Sequence, residues 1–341
     1  MTAADPPPDP SPVLDLLVAF RRSKTMFAAV SLGVFDALAS GPKTAAVVAA
    51  ELKAHADSMG RLLDACVGLG LLRHDAGGYA NTPAAATYLT TASPRRMTGY
   101  IRFTDEILWK LWADLEGGIR DGTPGWKRSF GWDGPVFANI FHTDHLRREF
   151  TMGMHGFGLI SSPEVAAAFD LSRFTRLVDL GGATGHLAAA ACRRYPALRA
   201  VVFDLPQVAP LAREIVAATD VADRVEVVAG DFFADPLPPA DLYALGRVLH
   251  DWSDETCLAL LRRVYDHLPA GGALLVAEKL IADDRAGPPW AQMQDLNMLL
   301  VTEGRERTLA GYADLLGRAG FADVTGRPTA APVDAVLAVK R

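Results

Sequence analysis

A chain of 341 residues, half of them apolar and 22% charged, is long enough for two domains and a sizeable core. Its net charge of −6 excludes a large nucleic-acid footprint, and its three widely spaced cysteines (Cys66, Cys192, Cys257) exclude a disulfide framework or a cysteine-ligated metal and fit a reducing compartment. No signal peptide opens the chain and no apolar run is long enough to span a bilayer, so a soluble cytoplasmic protein with no membrane partner is expected.

In chain order, residues 1–12 are Pro-rich and read as a mobile tail. From Val13 to Leu38 apolar residues recur at helical spacing (Leu14, Leu17, Phe20, Phe27, Val30, Val34) until Gly41-Pro42 breaks the pattern. Short helices over Thr44–Leu52 and Ser58–Leu69, then Leu71–Arg73 and Gly77–Tyr79 as a small hairpin, make residues 13–98 a winged helix-turn-helix unit. Its recognition-helix position carries only Arg61 as a strong cation, so DNA is not the partner and a dimerisation module is the better reading. The Val13–Leu38 stretch has more apolar face than so small a unit buries, which points to a homodimer.

Residues 99–165 read as a helical linker rich in aromatic residues, most of them packing and a few lining a pocket for a flat aromatic molecule; Trp109 and Met154 are the candidates there. From residue 166 to 341 strands and helices alternate. Strands are expected at Leu177–Asp179, Ala200–Phe203, Val225–Val228, Leu242–Leu245 and Ala273–Ala277, with a closing pair near Phe321–Val324 and Ala335–Val339. That order predicts an α/β, Rossmann-like doubly wound sheet whose ligands sit at the carboxyl ends of its strands.

The first strand runs into Asp179-Leu180-Gly181-Gly182-Ala183-Thr184-Gly185. The glycines allow a sharp turn and close backbone approach to a ligand. Asp179 makes a pyrophosphate an awkward guest, whereas a cationic nucleoside such as S-adenosylmethionine (SAM) suits an acid beside a glycine turn. Asp204, 19 residues past Gly185 at the end of the second strand and followed by Leu205, is placed to accept both ribose hydroxyls. Asp231 follows the third strand, placed for the adenine amino group, with Phe232 to stack on the ring. One such acid merely caps a helix; three in register on one sheet edge are harder to explain that way.

After the fourth strand come Arg247, His250 and Asp251, just ahead of a helix capped by Ser253. A phenol has a pKa of ~10 and stays un-ionised at neutral pH, whereas His titrates at ~6.5 and can take its proton. Glu278 ends the fifth strand and Glu306 lies farther on; a carboxylate on one imidazole nitrogen fixes the tautomer and stabilises the imidazolium.

As an ordered set these motifs resemble the SAM-dependent O-methyltransferases of phenolics, polyketides and hydroxyindoles, from about Met26 to the C-terminus. Within that family the chain is most similar to the acetylserotonin O-methyltransferase group, through Arg247-Val248-Leu249-His250-Asp251-Trp252, Leu296-Asn297-Met298-Leu299 and Thr302-Glu303-Gly304. The resemblance implies a SAM-binding methyltransferase domain over 166–341, preceded by a winged-helix dimerisation domain. It implies His250 as base, flanked by Glu278 and Glu306, no metal, and S-adenosylhomocysteine (SAH) as product. SAM is expected on the Gly181-Gly182 turn, Asp204, Asp231, Phe232 and Arg247. In the acetylserotonin group Asn297 is followed one helical turn later by a Gln; here that place is Val301, so a weaker preference for an N-acetyl side chain is expected. The competing expectations are a tailoring hydroxylase or decarboxylase on the same fold and a SAM-binding protein without transfer activity.

Overall fold

The computed structural model describes residues 8–341, so most of the expected 1–12 tail lies outside the described residues. Of the rest, Ser11 and Pro12 already belong to a helix, Ser11–Leu32, which ends at the left-handed Gly33; a separate short helix, Val34–Ala37, completes the pattern read over Val13–Leu38. The helices Ala45–Glu51 and Ala56–Gly68 are N-capped by Thr44 and His55. The hairpin β1 (Leu72–Asp75) and β2 (Gly78–Asn81) follows, as the sequence predicts.

The chain divides into two compact units, one running to Glu106 and the other from Ile107 to Arg341. That boundary falls inside the 99–165 stretch. Most of it joins the second unit, where the helix Asp144–Ala168 packs along the helix His186–Arg194, and the Trp126 indole N–H donates to the Val301 carbonyl at 2.7 Å.

The second unit is built on β3 (Arg176–Leu180), β4 (Arg199–Asp204), β5 (Val225–Ala229), β6 (Leu242–Gly246), β7 (Ala273–Glu278), β8 (Ala322–Arg327) and β9 (Asp334–Val339). Each lies within a few residues of its expected position. Successive side chains of a strand point to opposite faces, and here both faces are apolar. Leu177, Val202, Leu242 and Leu275 enter one buried cluster, while Val178, Val201, Tyr243 and Leu274 enter the other. Helices cover both sides, which is why these strands read as unbroken apolar runs.

The order is β5-β4-β3-β6-β7-β9-β8, with β3 to β7 mutually parallel and β9 antiparallel to both of its neighbours, β7 and β8. Chain order reverses between β3 and β6. A crevice at such a reversal, at the carboxyl ends of the strands, is where an open α/β sheet takes its ligand. Among the described residues no helix is long and apolar enough to cross a membrane.

Candidate active site

The crevice is flanked by the turn after β3 and the turn after β6. Gly181 and Gly185 are left-handed (φ +69° and +77°), and so is Ala183 (φ +48°). Asp204 holds this turn from the end of β4: one carboxylate oxygen accepts from the Ala183 N–H and the other from the Leu205 N–H, each at 2.7 Å. Burial raises its pKa to about 6 against the pull of those two N–H groups. Asp179 lies inside β3 rather than after it, and a Cβ on Gly182 would fall 2.7 Å from its Cγ, so this carboxyl sits beneath the turn. Burial, then repulsion from Asp204, raises its pKa to about 7.

Beyond β6 the backbone enters another left-handed residue, Arg247 (φ +56°), and then a short 3₁₀ turn, Leu249–Asp251. A non-glycine residue at positive φ costs energy that the surrounding structure must sustain, and such residues cluster at functional sites. His250 in this turn is buried. Its Nδ1 lies 2.7 Å from Glu306 Oε1 and 3.2 Å from Glu278 Oε2. A carboxylate at Nδ1 would fix the ring proton there and leave the Nε2 lone pair to accept one. Glu278 also anchors the turn, its Oε1 accepting from the N–H groups of Val248 and Leu249. Burial pushes Glu278 up and Glu306 up to about 8, opposed by His250 and Arg247 respectively. Asp251 is likewise raised to about 7 by burial, and its 3.7 Å from His250 Nε2 is too long for a hydrogen bond. The ligand-capable atoms of His250, Glu278 and Glu306 lie within 4.8 Å of one another, and the short Nδ1 to Oε1 distance is that of a hydrogen bond.

Between the turns opens a cavity of about 250 Å³. Of the residues expected to bind a cofactor, Gly181, Asp204, Leu205, Asp231, Phe232 and Arg247 line it; Met154 and Asp251 do too. Phe137, Phe141, Phe150, Phe157 and Trp252 give it an aromatic wall, and Arg247 stacks over Phe157 at 5.5 Å. Arg247 Nε and Ser161 Oγ, on lining residues, are buried with no hydrogen-bond partner among the described residues, as a site for a polar ligand requires. The residues present fit SAM.

Several expected residues lie elsewhere. Asp179 lies under the turn, Gly182 in the turn packs down on it, and Gly185 packs against Val202 and Val216, where a Cβ would lie 2.9 Å from each. Trp109, Asn297 and Val301 do not line this cavity, and neither do His250, Glu278 and Glu306, whose turn contributes Val248 and Asp251 to its wall. Asn297 Oδ1 accepts from the Trp112 indole N–H at 2.9 Å, and the Val301 side chain is buried.

Residues 303–307, next to the Thr302-Glu303-Gly304 stretch that carries the resemblance, support the His250 turn through contacts that spacing alone does not reveal. Arg307 donates to the carbonyls of Leu249 and Trp252 and to Asp254, tying the His250 turn to the next helix. Gly304 lies so close that a Cβ would fall 2.2 Å from the His250 carbonyl oxygen. Glu303 accepts from the Ser253 N–H and the Thr256 hydroxyl.

A family model for the O-methyltransferase domain matches residues 112–322, and one for the O-methyltransferase dimerisation domain matches residues 14–91. The acetylserotonin O-methyltransferase of Bos taurus is 42% identical over 328 residues, covering 94% of this chain and 95% of that protein. Among solved structures, human N-acetylserotonin methyltransferase in complex with SAM superposes with a TM-score of 0.93 at 38% identity, over 99% of both chains. PigF with SAH superposes with a TM-score of 0.87 at 28% identity, over 97% of this chain and 100% of that one.

Proposed function

The chain belongs to the family of SAM-dependent O-methyltransferases with a dimerisation domain, and from that premise we propose that it methylates an aromatic hydroxyl with His250 as general base. Gly181, Asp204, Leu205, Asp231, Phe232 and Arg247 would hold SAM, Asp204 taking the ribose hydroxyls and Asp231 and Phe232 the adenine. When bound, SAM supplies a sulfonium methyl group, and its loss to the acceptor oxygen leaves SAH. His250 Nε2 takes the acceptor's hydroxyl proton, and Glu306 and Glu278 stabilise the imidazolium from the Nδ1 side. The observation that carries this reading is the buried Nδ1 pairing, 2.7 Å to Glu306 and 3.2 Å to Glu278, beside a cavity that meets the requirements of SAM.

The acceptor is a phenol or hydroxyindole of apolar character, with no strong requirement for an N-acetyl group. Two observations support this: the Asn297 carbonyl is already bonded to Trp112, leaving only its NH₂ to donate, and Val301 offers no polar group. The active form is a homodimer built through the Ser11–Leu32 helix.

Kinetics of wild type, His250→Ala and Val301→Gln with N-acetylserotonin and 5-hydroxyindole test the reading. General-base catalysis is worth ~10²–10⁴ in rate, so His250→Ala should lose about that much in kcat with SAH affinity unchanged. Wild type should show similar kcat/KM for both acceptors, and Val301→Gln should raise the value for N-acetylserotonin. Near-normal turnover by His250→Ala would remove the base. A strong wild-type preference for N-acetylserotonin that Val301→Gln does not move would remove the acceptor assignment.

A further inference from the structure

Beside Arg247 the cavity has a polar end whose His186, Ser161 and Ser162 the assignments above leave unused. His186 is the first residue of the His186–Arg194 helix, directly after the left-handed Gly185, and its ring forms part of the cavity wall. On the facing helix, Gly158 carries no side chain; a Cβ there would lie 2.2 Å from the His186 Cγ, so the imidazole occupies the space a side chain would fill. One turn farther along, Ser162 Oγ lies 2.9 Å from His186 Nδ1. Both Gly158 and Ser162 line the same cavity.

The ring is neutral at physiological pH: burial first, then the nearby His155 and Arg247, lower its pKa to about 3. A neutral imidazole bonded at Nδ1 keeps Nε2 for one further hydrogen bond. Around it stand Ser161, whose buried hydroxyl has no partner among the described residues, and Arg247, whose Nε has none either. His155 bonds Thr184 of the glycine turn at 2.7 Å and is engaged there. This end therefore offers two hydroxyls, a guanidinium and an imidazole, a set suited to an α-amino carboxylate and foreign to an aromatic acceptor. With Asp204 fixing the ribose and Asp231 the adenine, the remaining polar part of SAM is its amino-acid end.

We propose that His186, held by Ser162 and admitted by Gly158, is a cofactor-positioning residue that hydrogen-bonds the amino-acid end of SAM and SAH. It deepens the cofactor placement given above and rests on it. The methyl group lies between adenosine and amino acid, so fixing both ends also fixes the methyl's line of approach to the acceptor held near His250.

Two ligands separate this role from a structural one. SAH and 5′-methylthioadenosine share the adenosine and the thioether, and only SAH has the amino-acid end. Equilibrium binding by titration calorimetry on the full-length protein compares wild type, His186→Ala and His186→Gln. His186→Ala should weaken SAH about tenfold or more, the scale of one lost hydrogen bond to a charged group, and leave methylthioadenosine unchanged. His186→Gln, whose amide reaches the place of Nε2, should recover part of the SAH affinity and none for methylthioadenosine. Equal losses on both ligands would show that the ring only supports the glycine turn, and overturn the proposal. So would no loss on either, or a wild type that binds SAH no tighter than methylthioadenosine. A wild type that takes up neither ligand would fail the cofactor placement itself, an outcome distinct from these.

Discussion

Asp204 shows how one buried side chain serves both fold and ligand. Its two oxygens accept from the Ala183 and Leu205 N–H groups, and burial nevertheless raises its pKa to about 6, with Asp179 nearby raised to about 7. The form that accepts ribose hydroxyls is the carboxylate, and SAM adds a cation beside it, so binding favours ionisation of both groups. Below a raised pKa the competent fraction falls about tenfold per pH unit. SAM affinity should therefore be level above about pH 8 and fall as the pH drops through about 7 and then about 6, with protons released on binding in that range. Titration in buffers of different ionisation enthalpy measures both. Asp204→Asn should bind more weakly, by about tenfold or more, and lose most of the fall; a variant that keeps the full pH dependence would assign it to another group.

At the scale of elements, the site depends on the Leu249–Asp251 turn, three residues that hold little by themselves. Glu278 holds its N–H groups, Arg307 its carbonyls, and Gly304 lets a neighbouring strand of chain approach its backbone. Arg307 is a positioning residue, since its planar fork reaches two carbonyls and Asp254 at once, which a lysine ammonium on a flexible stem does not reproduce. Misplacing a catalytic group by about 1 Å costs on the order of 10²-fold in rate. Arg307→Lys should lower kcat by about that factor while KM for SAM stays near wild type, because of the cofactor residues only Arg247 adjoins this turn and the others lie on other elements. Parallel loss of kcat, SAM affinity and melting temperature would instead mark Arg307 as general scaffolding.

At the scale of the molecule, the Ser11–Leu32 helix presents Val13, Leu14, Leu16, Leu17 and Phe20 to solvent, Leu16 at 77% exposure. An apolar face of that kind marks an interface, and the dimerisation-domain match over residues 14–91 supports the proposal that a second copy of the chain covers it. Light scattering at micromolar concentration should give a dimer for wild type. Val13→Asp with Leu16→Asp, both outside the buried core, should shift it to monomer with little change in SAH affinity. A monomeric wild type would refute the assignment.

Much of this was legible in the sequence. Apolar runs mark the central strands β3, β4, β6 and β7, because a strand buried on both faces has no other composition open to it; β5 and β8, at the sheet edges, are half exposed and follow from their place in the alternation of strands and helices. Their order with intervening helices gave the doubly wound class and set Asp204, Asp231 and the His250 turn on one edge. The pairing of His250 with Glu306, 56 residues away, was expected from a family pattern and not from spacing. What the sequence left undecided are contacts between elements. Asp179 reads as a ligand-facing acid, yet it lies beneath the glycine turn because it falls inside β3 and points where the strand's pleat sends it. Asn297 reads as free for substrate, yet Trp112, 185 residues away, takes its carbonyl. Gly158 and His186, on two different helices, share one space. Local patterns fix each element's type and its buried face, while register and helix packing decide which side chains from distant stretches meet, and those meetings make the site.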